Sequence, residues 1–213
     1  MNTQVALYFA SNVLATLIVG GKFATKSEKG FKTFSIALII DALAFALWTV
    51  GYLNQTILLV MVTAGAIALL VSFLFFFRAS LHEVSSQTRM GLTILGTVAL
   101  LAIFIVGRYS PNYAFISPEG FLFFNLTPFV QMLYIFALII AAVPAMNFVA
   151  SKFNGGYSAL VRYGFLVQVA GGIMLITSTD VNTLYAAGWI IGIVNLILWV
   201  TLLFSKKAWQ GIN

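Results

Sequence analysis

The sequence predicts an all-α integral membrane protein with seven transmembrane helices, and three observations predict it. The 213 residues are 62% apolar and 8% charged with a mean hydropathy of +1.04, too little polar surface to cover a fold in water. The apolar residues fall into seven runs, 5–21, 31–53, 56–77, 90–107, 121–149, 157–178 and 183–204. Most of these reach the roughly 20 residues that a helix needs to cross a ~30 Å hydrocarbon core. Ten of the eleven Lys and Arg residues sit in alternate gaps between the runs. Continuous apolarity favours helices over barrel strands, whose polarity alternates residue by residue.

The first run, 5–21, has no basic side chain before it and Lys22 after it. Its positive flank is on the wrong end for a cleaved signal peptide, so the helix is expected to remain in the mature protein. The second, 31–53, follows Lys22, Lys26, Lys29 and Lys32 and ends in the tight turn Gly51-Tyr52-Leu53-Asn54-Gln55. The third, 56–77, ends at Arg78; the fourth, 90–107, begins after Arg89 and ends at Arg108, the single basic residue in the opposite gaps. The fifth and longest, 121–149, carries Pro128 and Pro144 near its two ends, where a kink or an interfacial entry is expected. The sixth, 157–178, follows Lys152 and Gly155-Gly156 and carries Arg162; the seventh, 183–204, ends before Lys206 and Lys207.

By the positive-inside rule the basic gaps face the cytoplasm, which puts the N-terminus outside and the C-terminus inside. The expected location is the cell membrane, with the lipid bilayer as the first partner. All 213 residues form one transmembrane domain, since no loop exceeds about fifteen residues, too few for a core of its own. The net charge of +6 is spread over short segments flanking helices, so anchoring explains it and no nucleic-acid partner is expected. The chain has no cysteine, hence neither disulfides nor thiolate metal sites.

A basic loop, a helix, a tight turn, a helix and a basic end occur in 22–78 and again in 152–206. That order suggests two parallel three-helix units joined by the fourth helix, a 3+1+3 repeat. In architecture alone it resembles sugar-exporting transporters of the SWEET type. The prolines depart from that family, because Pro111, Pro118, Pro128 and Pro144 all lie beyond the fourth helix. Chance similarity of hydropathy gives the same spacing, as any two antiparallel helices joined by a tight turn do. The topology also resembles that of opsins, yet the last helix offers Asn195 where a retinal lysine would stand, so no covalent Schiff base forms. No cofactor is expected.

Small residues at Ala42 and Ala46, Ala64-Gly65-Ala66, Gly171-Gly172, and Gly188 and Gly192 are read as helix-packing positions. Trp48, Tyr52, Tyr109, Tyr113 and Trp209 are read as interfacial aromatics.

Counting depth at ~1.5 Å per residue places Asn12, Asp41, Gln131, Gln168 and Asn195 near the bilayer midplane. Thr63, Ser72, Thr93 and Thr97 satisfy their hydroxyls on their own helices. Asp41 is the only ionisable group at that depth, and a carboxylate there costs roughly 2.5–3.5 kcal/mol. It must be protonated, paired with donors or set against a hydrated cavity. The five residues form the candidate site, binding a small ligand or accepting a proton. Read the other way, the amides are interhelical glue worth about 0.6 kcal/mol each.

The inventory argues against an enzyme. His82 is the only histidine and lies at a helix end beside Glu83, which excludes a histidine-rich metal site or a mid-membrane catalytic triad. Three functions remain: a sensor or receptor-like bundle that binds a small ligand and signals to a protein partner, a small-solute transporter or channel coupled through Asp41, and a structural subunit of a larger membrane complex.

Overall fold

The computed structural model describes residues 3–82, 84–108 and 114–210. Among them are helices α1 (Thr3–Ala24), α2 (Lys29–Leu53), α3 (Leu58–Ser80), α4 (Ser86–Arg108), α5 (Pro128–Ser151), α6 (Gly156–Thr177) and α7 (Val181–Phe204). Strands β1 (Ala114–Ile116) and β2 (Leu122–Phe124) pair antiparallel between α4 and α5. Five of the helices, those at 29–53, 55–80, 86–107, 128–151 and 156–177, are long and apolar enough to cross a membrane, consistent with an integral membrane protein.

Sequential helices pack as neighbours: α1 on α2, α2 on α3, α5 on α6 and α6 on α7. Two further contacts close the bundle, α3 against α5 and α1 against α7, while α4 lies outside on α3 and α5. Small residues set the close approaches. A β-carbon on Gly65 would fall 3.0 Å from the Ala44 carbonyl oxygen of α2, and one on Gly20 would fall 3.4 Å from the Ser35 carbonyl oxygen. Ser35 replaces the missing packing with a bond, its hydroxyl donating to the Gly20 carbonyl at 2.6 Å.

One correction concerns the fifth apolar run. The helix does not begin at Phe121: residues 122–124 are strand β2, and α5 starts at Pro128 with Thr127 as its N-cap, the Thr127 hydroxyl accepting from Val130 N–H. Pro128 at the first helical position lacks an N–H that would go unpaired anyway, so Thr-Pro opens the helix. Pro144 lies within α5, which continues to Ser151.

The two ends of the bundle are sealed differently. At the end carrying Lys22–Lys32, Lys152 and Lys206–Lys207, an aromatic cluster fills the interior. Phe23 stacks on Phe31 at 5.1 Å, and Phe34 meets Phe23 at 5.2 Å, Phe76 at 5.1 Å and Phe165 at 6.0 Å. Three helices, α1, α3 and α6, thus meet the Phe34 ring of α2. Glu28 pairs with Lys152 at 2.9 Å, and the Lys22 and Lys26 ammonium groups lie 5.4 and 5.0 Å from the Trp209 ring, so the basic segments share one end. At the far end the β-hairpin lies over the bundle, held where the Tyr52 hydroxyl donates to the Gly120 carbonyl at 2.6 Å and where Phe121 meets Tyr185 edge-on at 4.7 Å.

Trp48 and Tyr52 are a second correction. They were expected in the aromatic belt facing lipid, but they are 8% and 1% exposed and point into the bundle beneath the hairpin. Tyr109 and Tyr113 lie outside the described residues.

Candidate functional site

One inward-facing stripe of α2 runs Phe34, Leu38, Phe45, Trp48, Tyr52, all buried except half-buried Phe45, in alternating steps of four and three with one gap, and Asp41 fills the gap. Phe34 at the stripe's basic end touches α1, α3 and α6, and Trp48 near its far end hydrogen-bonds α3 and meets Phe9 of α1. The stripe therefore faces the bundle interior, and so does Asp41. Its side chain is half-buried and makes no hydrogen bond or ion pair within the described residues.

Helix register decides what stands beside it. Gly20 packs against Leu38 and Ile39, and Phe9 against Phe45, Trp48 and Tyr52, which fixes the antiparallel register of α1 on α2. That register puts Thr16 level with Asp41 and Asn12 one turn nearer the hairpin. Both are buried, at 6% and 2% exposure, and the Thr16 hydroxyl donates to the Asn12 carbonyl at 2.7 Å. On the other side, Gly65 against Ala44 and Phe76 against Phe34 bring Leu69 of α3 to the same level, with Ser72 one turn nearer the basic end. Ser72 is fully buried there and donates to the Leu69 carbonyl at 2.9 Å.

Gln168 enters from α6. It follows Phe165 by one turn on the face carrying Val161 and Phe165, both buried, and is itself half-buried with a partner of its own. Since Phe165 meets Phe34, and Asp41 lies two turns from Phe34, Gln168 sits about one turn, roughly 5 Å, nearer the basic end than Asp41. Asn195 belongs to α7 opposite the Gln168 turn, a level set by Gly164 against Leu198 and Gly171 against Ile191; its side chain lies outside the described residues.

Gln131 is displaced from this layer. Because α5 starts at Pro128, Gln131 occupies its first turn, its N–H bonding the Thr127 carbonyl at 2.9 Å near the hairpin end. The mid-depth count failed because it began seven residues too early, at Phe121. Conversely, buried Thr16 and Ser72 join the layer, although their residue types and spacing alone do not single them out as site residues. Thr63, Ser72, Thr93 and Thr97 all donate to carbonyls of their own helices, as expected, so only their helical rotation distinguishes Ser72 from the others.

The interior thus carries a waist of polar side chains, Asn12, Thr16, Asp41, Ser72 and Gln168, between an aromatic seal at the basic end and the hairpin at the other. Such a set has the chemistry to accept and donate hydrogen bonds, and a carboxyl such as that of Asp41 can hold one proton. Among the described residues no three His, Asp or Glu side chains gather in a metal-binding group. Comparison with protein-family models, with curated proteins and with solved structures finds no match.

Proposed function

We propose that the chain is a seven-span membrane protein, with its basic end in the cytoplasm, that binds a small polar or amphiphilic ligand at the Asp41 layer and acts as a sensor-like bundle. Helices α1 and α7, at 22 and 24 residues, are long enough to serve as the sixth and seventh spans. The carrying observation is the place of Asp41: on the interior stripe of α2, level with buried Thr16 and one turn from the level of buried Ser72, without a hydrogen-bond partner within the described residues. A packing amide in that position would satisfy itself on a neighbour; a carboxyl left over at the centre of a closed bundle is suited to a group that arrives from elsewhere. Signal output requires a separate protein partner at the basic loops.

The test is native mass spectrometry of protein extracted gently from its own membrane, with Asp41→Asn alongside. A small-molecule adduct present on the wild type and lost in the variant supports the reading. A stoichiometric protein partner retained by both, with no adduct on either, replaces it with the role of a complex subunit.

The packing favours one second reading. Under a 3+1+3 repeat α1 corresponds to α5 and α3 to α7, so the contact of α3 with α5 maps onto that of α7 with α1, and the external α4 is the linker. Transport of a small solute between two such halves, with Asp41 coupling a proton, fits that symmetry. Proteoliposome flux that is unchanged in rate and pH dependence by Asp41→Asn removes Asp41 from such a mechanism.

A further inference from the structure

Below the hairpin lies a cavity of about 70 Å³, lined by Trp48 of α2, Ala66 and Leu69 of α3, Phe104 and Gly107 of α4, and Phe124 of β2 among others. Its polar groups are spoken for: Trp48 Nε1 donates to the Val62 carbonyl at 3.3 Å, the Thr63 hydroxyl donates to the Leu59 carbonyl at 2.6 Å, and Tyr134 is partnered too. What remains for an occupant is hydrocarbon contact. Apolar cavities of this kind stay dry and take up apolar molecules. The volume selects the occupant's shape, being roughly half that of a ~150 Å³ cavity that accepts benzene. It suits the end of a slender chain better than a ring.

Access comes from the α4 side. Only 6% of the apolar stretch of α4 is buried in the protein, against 39% for α2 and for α3, and Ile94, Leu101 and Ile105 are exposed along it. In a membrane that helix is solvated by lipid tails, and it packs on α3 and α5, both of which line the cavity beside it.

We propose that this cavity is a binding site for the hydrocarbon tail of a single-chain membrane amphiphile, which enters methyl end first between α3 and α4. Ala66 and Gly107 set the room available. A β-carbon on Gly107 would meet Val130 and Tyr134 at 3.4 and 3.7 Å, ordinary contacts, so a larger side chain there fills space without moving backbone. The site needs the membrane-spanning reading but none of the lining side chains named above belongs to the Asp41 layer. Tail binding and the polar-ligand reading therefore fail separately.

The test uses the full chain in phosphatidylcholine nanodiscs and two stearic acid probes, one with a photoactivated diazirine near the methyl end and one with it beside the carboxyl. The methyl-end probe is expected to label 62–69 and 104–107 in a saturable manner that unlabelled stearic acid competes away, and the carboxyl-end probe is not. Ala66→Phe or Gly107→Leu is expected to lower that labelling about tenfold, as the loss of roughly two buried methylenes does. Should both probes mark the exposed face of α4 alike, without saturation, the proposal is overturned. If neither variant folds, the two-probe comparison on the wild type still decides it.

Discussion

Replacing Gly65 by alanine tests the register on which the polar layer rests. The new methyl would stand 2.3 Å from Trp48 Nε1, 2.4 Å from Trp48 Cδ1 and 3.0 Å from the Ala44 carbonyl oxygen. The indole cannot swing aside, because it hydrogen-bonds the Val62 carbonyl at 3.3 Å and is held by Phe45 at 5.4 Å and Phe124 at 5.2 Å. Either α2 and α3 part, or the indole loses its bond and its packing. Overpacking costs about 1–3 kcal/mol and a buried donor left unpaired a further ~1–3 kcal/mol, partly alternative to each other. Alanine returns about 1 kcal/mol of helix propensity. The net is a destabilisation of about 2 kcal/mol, roughly thirtyfold in the unfolding equilibrium. Gly91→Ala on α4, whose β-carbon meets nothing within 4 Å, carries the propensity gain alone and is the control. Reversible unfolding in mixed micelles, followed by circular dichroism, reads both. Equal stability of the two variants would refute the close packing of α2 on α3 and with it the level assigned to Ser72.

Tyr52→Phe removes the hydroxyl that holds Gly120 and is expected to loosen the hairpin by about 1–3 kcal/mol. Thermolysin cleavage within 114–124 should then accelerate about tenfold or more, and an unchanged rate speaks against the clamp. Trp209, which donates to the Leu202 carbonyl and meets Phe23 and Phe153 at 5.4 and 5.5 Å, ties the C-terminal segment to α1 and the end of α5. Trp209→Ala should cost about 2–3 kcal/mol and Trp209→Phe about half that, read by thermal unfolding in detergent; equal effects would mean that the ring contacts contribute nothing. Asp180 caps α7, and its carboxyl is held below the usual carboxylate range first by the Thr183 hydroxyl and then by the Thr183 N–H. A depressed carboxyl stabilises the fold above its ordinary value near 3.8 and loses that contribution as pH falls through its lower folded value. Asp180→Asn should remove the corresponding slope in acid unfolding titrations below pH ~4, leaving the rest of the curve in place.

Helix existence was legible because continuous apolar runs have few other solutions in lipid. The run 31–53 became α2 (Lys29–Leu53) and the run 183–204 became α7 (Val181–Phe204). Hydropathy misread the fifth run, since Phe121-Leu-Phe-Phe124 is as apolar as any helix while Leu122–Phe124 forms strand β2. Local chemistry held the corrective signal. Pro118-Glu-Gly120 marks a turn, with Gly120 at φ 84°, and Thr127-Pro128 is a cap followed by a first-turn proline. The depth of Asp41 needed only arithmetic. Its facing needed the stripe around it, because Trp48 and Tyr52 look the same in sequence whether they float at an interface or plug a bundle. Thr16 and Ser72 were silent for a related reason: a hydroxyl bonded to its own helix gives no clue to which neighbour its face meets.

The same geometry separates Asp41 from the amides that surround it. Asn12 is buried and partnered, and Gln168 is half-buried and partnered, so bonding within the protein accounts for both without a ligand. Asp41 cannot be placed in that class. Its helix position costs roughly 2.5–3.5 kcal/mol, several times the ~0.6 kcal/mol that an interhelical polar contact returns. Nor does snorkelling relieve it, because a short carboxyl on the interior stripe between Leu38 and Phe45 reaches neither membrane surface. Among the described residues the deficit is local to this side chain, and the hydroxyls of Thr16 and Ser72 are satisfied on their own backbones. A cost so placed is recovered when something with a hydrogen-bonding group occupies the interior, and that is the physical ground for reading the waist of this bundle as a site.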